Sequence, residues 1–253
     1  QSIIENKFVF FDEYWYDNGG LPSILEKKKK THELNIFEYL DKDKFLKVSS
    51  DDFKNPTALT TINQNVLMCQ TGYLTLRSDL NKTSTVALGI PNGEIYKALN
   101  RLLANNIFKG NTDITDDYGR SLLEVGTVDD IINLFNSALN SVSYDNYPIV
   151  SESSVQNMLK LYLLGAHQKV LSEVHEAKGR ADLVVNTDNR RIVFEFKYAK
   201  NETEAKSKLH DAVEQIKTRD YGNIVPNKTE LLRIAAVFNA DPKVRAFTEF
   251  QLV

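Results

Sequence analysis

Beyond Ser151 the spacing of the apolar residues changes period repeatedly, and no other feature narrows the accessible folds as far. Residues 152–164 carry them at helical spacing, residues 169–174, 180–185 and 191–198 as strand-length runs, residues 202–219 again at helical spacing, and residues 231–238 as one more strand-length run. Helix, three strands, helix, strand is the order of a mixed α/β domain of about 100 residues. The segment before it, residues 143–151 with Tyr144, Asp145, Asn146 and Pro148, loses helical periodicity and is the expected boundary. The chain therefore divides into residues 1–145 and 146–253.

The first part reads as short helices with a hairpin. Pro22, Ile24 and Leu25 begin a helix that runs into four lysines at 27–30, a charge run that suits a solvated helix C-terminus. Residues 62–69 are helical in pattern and Gly72 breaks them; residues 73–77 and 85–90 pair as two strands ahead of a helix over 92–107 with Ile95, Leu99, Leu102 and Leu103 in one stripe. Thr127, three residues before Asp130, caps another helix that turns Ile131, Ile132, Phe135, Ala138 and Leu139 inward.

Composition excludes several classes. With 253 residues, 42% hydrophobic and 26% charged, the chain is neither disordered nor low in complexity. The longest apolar run, residues 158–166, is interrupted by Lys160 and is far short of the roughly 18 residues of a membrane span. One cysteine, Cys69, forms no internal disulfide and reads as a small hydrophobe on a helix face; the four histidines are scattered, so no Cys/His zinc site is expected and a reducing, cytoplasmic setting fits. A start at Gln1 without a basic-then-apolar leader is expected of a fragment of a longer chain. The net charge of −3 argues against coating nucleic acid by bulk electrostatics, but residues 151–253 hold 16 basic against 14 acidic side chains, while residues 1–150 hold 15 against 20. A polyanion belongs with the second part.

Chemistry concentrates on two strands. In residues 191–198, Ile192, Phe194, Phe196 and Tyr198 share one face and Val193, Glu195 and Lys197 the other, with one face expected in the core. If Asp188-Asn189 is a two-residue turn, Asp182 lies opposite Glu195 and Lys197 opposite Arg180; a three-residue loop would set Asp182 opposite Phe194 and part the acids, and a bulge would also change the register. Facing carboxylates repel by up to about 4 kcal/mol at 4 Å and an effective dielectric near 20. A hard divalent cation such as Mg²⁺ offsets this, and a lysine two residues along stabilises a developing oxyanion, so the pattern reads as metal-assisted attack on a phosphodiester. Glu152 adds a third acid on the stripe of Val155, Gln156, Leu159, Tyr162 and Leu163, although a carboxylate in a first turn also suits the helix dipole. The later helix buries Ala205, Leu209, Ala212, Val213 and Ile216 and offers Gln215 and Lys217 near its end, with Tyr221 following.

Gly179-Arg180-Ala181-Asp182, twelve further residues, then Glu195-Phe196-Lys197, with Glu152 upstream and Gln215 and Tyr221 downstream, resemble the PD-(D/E)XK nuclease superfamily. More closely, the chain looks like the nuclease-like domain at the C-terminus of bacterial AAA-ATPase-like proteins. Tyr14-Trp15 with Asn18-Gly19-Gly20, Gln70-Thr71-Gly72-Tyr73-Leu74-Thr75 and Ile90-Pro91-Asn92 are similar to the end of the ATPase-like region. The resemblance implies a restriction-endonuclease-like αβββαβ core with a mixed central sheet, preceded by a mainly helical domain. It implies Asp182 and Glu195, with Glu152, as ligands of Mg²⁺ or Mn²⁺ and Lys197 as the catalytic cation. Gln215, Tyr221 and Arg180 become accessory contacts. Ala181 stands where the motif has proline, and no G-x-x-x-x-G-K-[ST] loop occurs, so no ATP binding is expected.

His167, His175 and His210 lack mutual metal-ligand spacing, Glu173, which with Glu176 precedes the motif, reads as a rim carboxylate or a helper of the site, and Arg180, Arg190 and Arg191 read as phosphate contacts, with Arg180 alternatively a charge partner for the acids. The expected activity is cation-dependent hydrolysis of nucleic acid, DNA before RNA, with residues 1–145 as a surface for a protein partner. The rival is an inactive nuclease-fold binding module in a larger regulatory, defence or toxin-like protein.

Overall fold

A computed structural model describes residues 36–54, 61–77, 84–108, 117–166, 168–176, 179–219 and 230–253. The sequence features at residues 14–30, from Tyr14-Trp15 to the lysine run, lie outside them. Contacts divide the chain into one unit up to Asn100 and another from Arg101. That division falls before the 145/146 boundary read from periodicity, because the helix after Thr127 packs into the second unit.

In the first unit a 3₁₀ turn, Ile36–Tyr39, is followed by β1 (Leu46–Ser49), α1 (Asp51–Lys54), α2 (Gln64–Gln70), β2 (Thr75–Leu76), β3 (Thr85–Gly89) and α3 (Gly93–Ile107), which runs past Asn100. Gly72 ends α2 as expected: at φ 88° it lets its own N–H reach the Cys69 carbonyl and the Tyr73 N–H reach the Met68 carbonyl. The expected hairpin exists as β2–β3, with Thr75 opposite Gly89 and Leu76 opposite Leu88. It is not alone, since β1 pairs along the other side of β3, giving the order β1-β3-β2. Two apolar residues, Leu46 and Val48, are too short an alternation to announce a strand; burial against the sheet decides it.

The second unit contains α4 (Asp117–Val125), α5 (Val128–Asn140), α6 (Glu152–Gly165), β4 (Lys169–Glu176), β5 (Gly179–Asn186), β6 (Arg190–Ala199), α7 (Glu202–Arg219), β7 (Glu230–Asn239) and β8 (Ala246–Leu252). Thr127 and Asp130 close a capping box on α5, and Ser151 and Ser154 do the same on α6. The sheet order is β4-β5-β6-β7-β8, antiparallel except for β6 and β7, which run parallel because α7 carries the chain back between them. β8 extends the expected set of strands. On this edge strand Asn136 of α5 donates to the Phe247 carbonyl at 3.1 Å and accepts its N–H at 2.7 Å.

Both faces of β6 are buried between Ile192 and Phe196, where the sequence reading assigned one face to the core. On one side Phe194 stacks on Phe196 at 5.5 Å and meets Phe135 of α5 at 5.3 Å, while Phe196 meets Phe247 at 5.6 Å. On the other, Val193 joins Ala181, Val184 and Ala235 against Ala212, Val213 and Ile216 of α7, and Ala199 packs near Ala205. Glu195 and Lys197 fall on this second face by strand alternation. No helix among the described residues is long and apolar enough to cross a membrane.

Candidate active site

The β5–β6 turn closes in two residues: the Thr187 N–H donates to the Arg190 carbonyl at 2.9 Å, and the Arg190 N–H is taken by the Thr187 hydroxyl at 3.0 Å. The resulting pairs, Asn186 with Arg191 through Leu183 with Phe194, have the register that brings Asp182 towards Glu195. Those pairs stop one residue short of the acids. On its other side Asp182 lies between the β4–β5 pairs Ser172–Leu183 and Val174–Ala181. The carboxylate Oδ2 accepts the Phe196 N–H at 2.8 Å, and the main-chain carbonyl accepts the side-chain amide of Gln156 from α6.

Glu195 is fully buried, at 0% exposure. Its Oε1 accepts from the Lys197 ammonium at 2.7 Å, while Oε2 is buried with no hydrogen-bond partner among the described residues. Glu152, at the start of α6, reaches the same ammonium at 3.5 Å, so Lys197 lies between two carboxylates. Burial pushes the Glu195 carboxyl up to about 7, with the Asp182 charge adding to the shift and Lys197 opposing it. Asp182 is also raised by burial, against the opposing hydrogen bond from Phe196. Burial works to lower the Lys197 pKa, but the Glu195 and Glu152 carboxylates outweigh it and hold the ammonium above its ordinary value.

A buried carboxylate oxygen without a donor carries a desolvation cost that a cation removes. Two carboxylates suit Mg²⁺ or Mn²⁺, which completes its shell with waters and substrate phosphate, so Asp182 and Glu195 fit such an ion. Among the described residues no three His, Cys, Asp or Glu side chains are gathered closely enough to form a metal cage by themselves. Glu152 is instead engaged with Lys197.

Arg180 is exposed on β5, and its charge acts to lower the Asp182 pKa. Gln215 is half-buried towards the end of α7. Tyr221 and His167 lie outside the described residues, as do the side chains of Glu173, His175 and Glu176. Arg190 is committed elsewhere, to Glu230 at 2.5 Å and the Gly126 carbonyl at 2.6 Å; Arg191 reaches Asn186 at 3.2 Å. The residue the sequence reading passed over is Gln156. Its signal was an amide within an inward stripe of otherwise apolar residues after Glu152, a position that demands a buried partner.

No curated protein matches the chain. Residues 150–248, which carry the whole constellation of Glu152, Asp182, Glu195 and Lys197, match the family model of the PD-(D/E)XK nuclease superfamily, whose members generally hydrolyse phosphodiester bonds with divalent metal ions, and their mixed sheet and flanking helices are those of a restriction-endonuclease-like fold.

Proposed function

We propose that the second unit is a divalent-cation-dependent nuclease that acts on DNA, with Asp182 and Glu195 as ligands of Mg²⁺ or Mn²⁺. One observation supports this most: Glu195 keeps a buried oxygen without a donor among the described residues, beside Asp182 and Lys197. When bound, the cation supplies neutralisation of both carboxylates and a lowered pKa for water at the site. Lys197 holds its proton at Nζ and offers that charge to the oxyanion developing on the scissile phosphate. Glu152 keeps the ammonium in place and is the proposed third ligand, while Arg180, Gln215 and Tyr221 serve as accessory contacts to the site or the substrate backbone. The motif resemblance of residues 1–145 supports an ATPase-like context upstream and a protein partner for that region, and the single cysteine supports a cytoplasmic setting.

The rival reading, a nuclease-fold binding module without activity, draws on the Lys197 ion pairs, which already neutralise Glu195 and Glu152 in part. Cleavage of supercoiled plasmid, linear duplex, single-stranded DNA and RNA with Mg²⁺ or Mn²⁺ separates the two. Cutting of DNA by the wild-type chain is expected, blocked by EDTA, lost in Glu195→Ala and reduced about 10²- to 10³-fold in Lys197→Ala. Folded protein that cuts nothing and gives no heat with Mn²⁺ would establish the binding module.

A further inference from the structure

The turn from β7 to β8 holds Arg245 at φ 44°, in the left-handed region that no other described non-glycine residue occupies. Glycine suits that backbone, so what the position gains from arginine lies in the side chain. Its guanidinium carbon is 4.2 Å from the centre of the Tyr144 ring, a cation–π contact with the segment between α5 and α6. Among the described residues no carboxylate pairs with that guanidinium and no acceptor takes its N–H groups. The Tyr144 hydroxyl is buried with no hydrogen-bond partner among them, so the ring serves by its face and not by its oxygen. Both residues line a cavity of about 430 Å³, with Asn140, Ser143, Asp145 and Val244. Small-ligand sites are of that size, about 300–1,000 Å³. Asp145 is exposed and makes no ion pair with Arg245, which leaves the cation uncompensated.

The sheet sets the place of this cavity. β6 and β7 run parallel and end side by side at Ala199 and Asn239, where the Ala240 N–H donates to the Ala199 carbonyl at 2.8 Å. The turn that holds Arg245 leaves from that end, and Lys197 stands just before it on β6. The other wall belongs to the segment that runs into α6, where Glu152 meets the Lys197 ammonium. Burial pushes the Tyr144 phenol up to about 12, Arg245 opposes the shift and Tyr198 adds to it, which sets Tyr144 near the residue that follows Lys197.

We propose that the cavity takes one nucleotide of the strand whose scissile phosphate lies at Lys197, its phosphodiester bound by the Arg245 guanidinium on the Tyr144 face. An arginine held on a ring presents a fork of N–H donors that matches phosphate, and such a contact fixes register without reading sequence. The course of the strand rests on the nuclease reading above; the phosphate site does not.

Fluorescence anisotropy with labelled single-stranded DNA tests this on full chains carrying Glu195→Gln, with EDTA present so that nothing is cut. Arg245→Gln is expected to weaken binding about tenfold, as for one lost charge-assisted contact. It should also make the slope of log affinity against log salt shallower by about 0.7, the share of one phosphate. Arg245→Gly, whose backbone suits the turn, should do the same. Tyr144→Leu should weaken binding about threefold, the worth of the cation–π contact, while Tyr144→Phe keeps the ring and binds as its parent does. An unchanged slope in both Arg245 variants, failure of both to fold, or a parent that binds no strand would overturn the proposal. Displacement of the strand by equimolar deoxyadenosine monophosphate would overturn it in favour of a free nucleotide. Plasmid cutting by the wild type beside an unchanged slope would overturn this site alone. A shallower slope in a protein that cuts nothing would uphold the phosphate site and overturn the nuclease reading.

Discussion

The two faces of β6 are made of neighbouring residues and do opposite things. Ile192, Phe194 and Phe196 lie in an aromatic layer whose ring pairs each add about 0.5–1.5 kcal/mol beyond the area they bury. Val193 and Ala199 pack towards α7, and between them Glu195 buries a carboxylate that Lys197 offsets in part. Both faces are shielded from water, but shielding stabilises hydrocarbon and penalises charge. The aromatic face holds the sheet together, and that surplus lets the other face carry a costly group in the geometry its chemistry requires.

The comparison breaks most readily at Phe194. Phe194→Ala is expected to remove about 3–5 kcal/mol of stability in urea unfolding, with Mn²⁺ binding by the remaining folded protein retained. A loss of binding without a loss of stability would erase the distinction between the faces.

Glu195→Gln should move stability the other way. In metal-free protein at pH 8 the variant is expected to be more stable than wild type by about 2 kcal/mol, because a buried charge is replaced by a neutral group of the same shape. The folded pKa of Glu195 is raised from 4.5 to about 7, so the folded state binds its proton more tightly than the unfolded state. Its contribution is therefore most favourable below pH 4.5 and is lost as the pH rises to about 7. Asp182, raised as well, acts in the same direction. The advantage of Glu195→Gln should accordingly shrink towards pH 5, and unfolding curves showing the same difference at both pH values would refute the account.

The smallest effect sharpens the aromatic side. Asn136→Ala removes the amide that bonds both main-chain groups of Phe247 and should cost about 1–2 kcal/mol, read by the same unfolding assay with no change in Mn²⁺ affinity. A stability change near zero would show that water replaces the amide at that edge.

Much of this architecture was legible beforehand. The helix from Glu202 to Arg219 has the bounds its pattern indicated, and the strands around it differ by two residues or fewer at each end. Long periodic segments and an Asp-Asn turn are local signals, and the turn carried the β5–β6 register with it. β1 and β8 were not legible: β1 is a run of only four residues, and each of the two becomes a strand where a neighbour offers a free edge. The site divided in the same way. Asp182, Glu195 and Lys197 could be named from alternation, whereas the bond from Gln156 to the Asp182 carbonyl could not.

Sequence by itself determined the order of elements in the second unit, the register of its central hairpin and which acids stand on neighbouring strands, because period and turn chemistry act over a few residues. Tertiary structure alone decided that both faces of β6 are buried, that Glu195 keeps an oxygen without a donor among the described residues, and that Gln156 takes a carbonyl 26 residues away. Desolvation and hydrogen-bond satisfaction depend on what packs above a group, and here that comes from α6 and α7, whose placement no local pattern encodes.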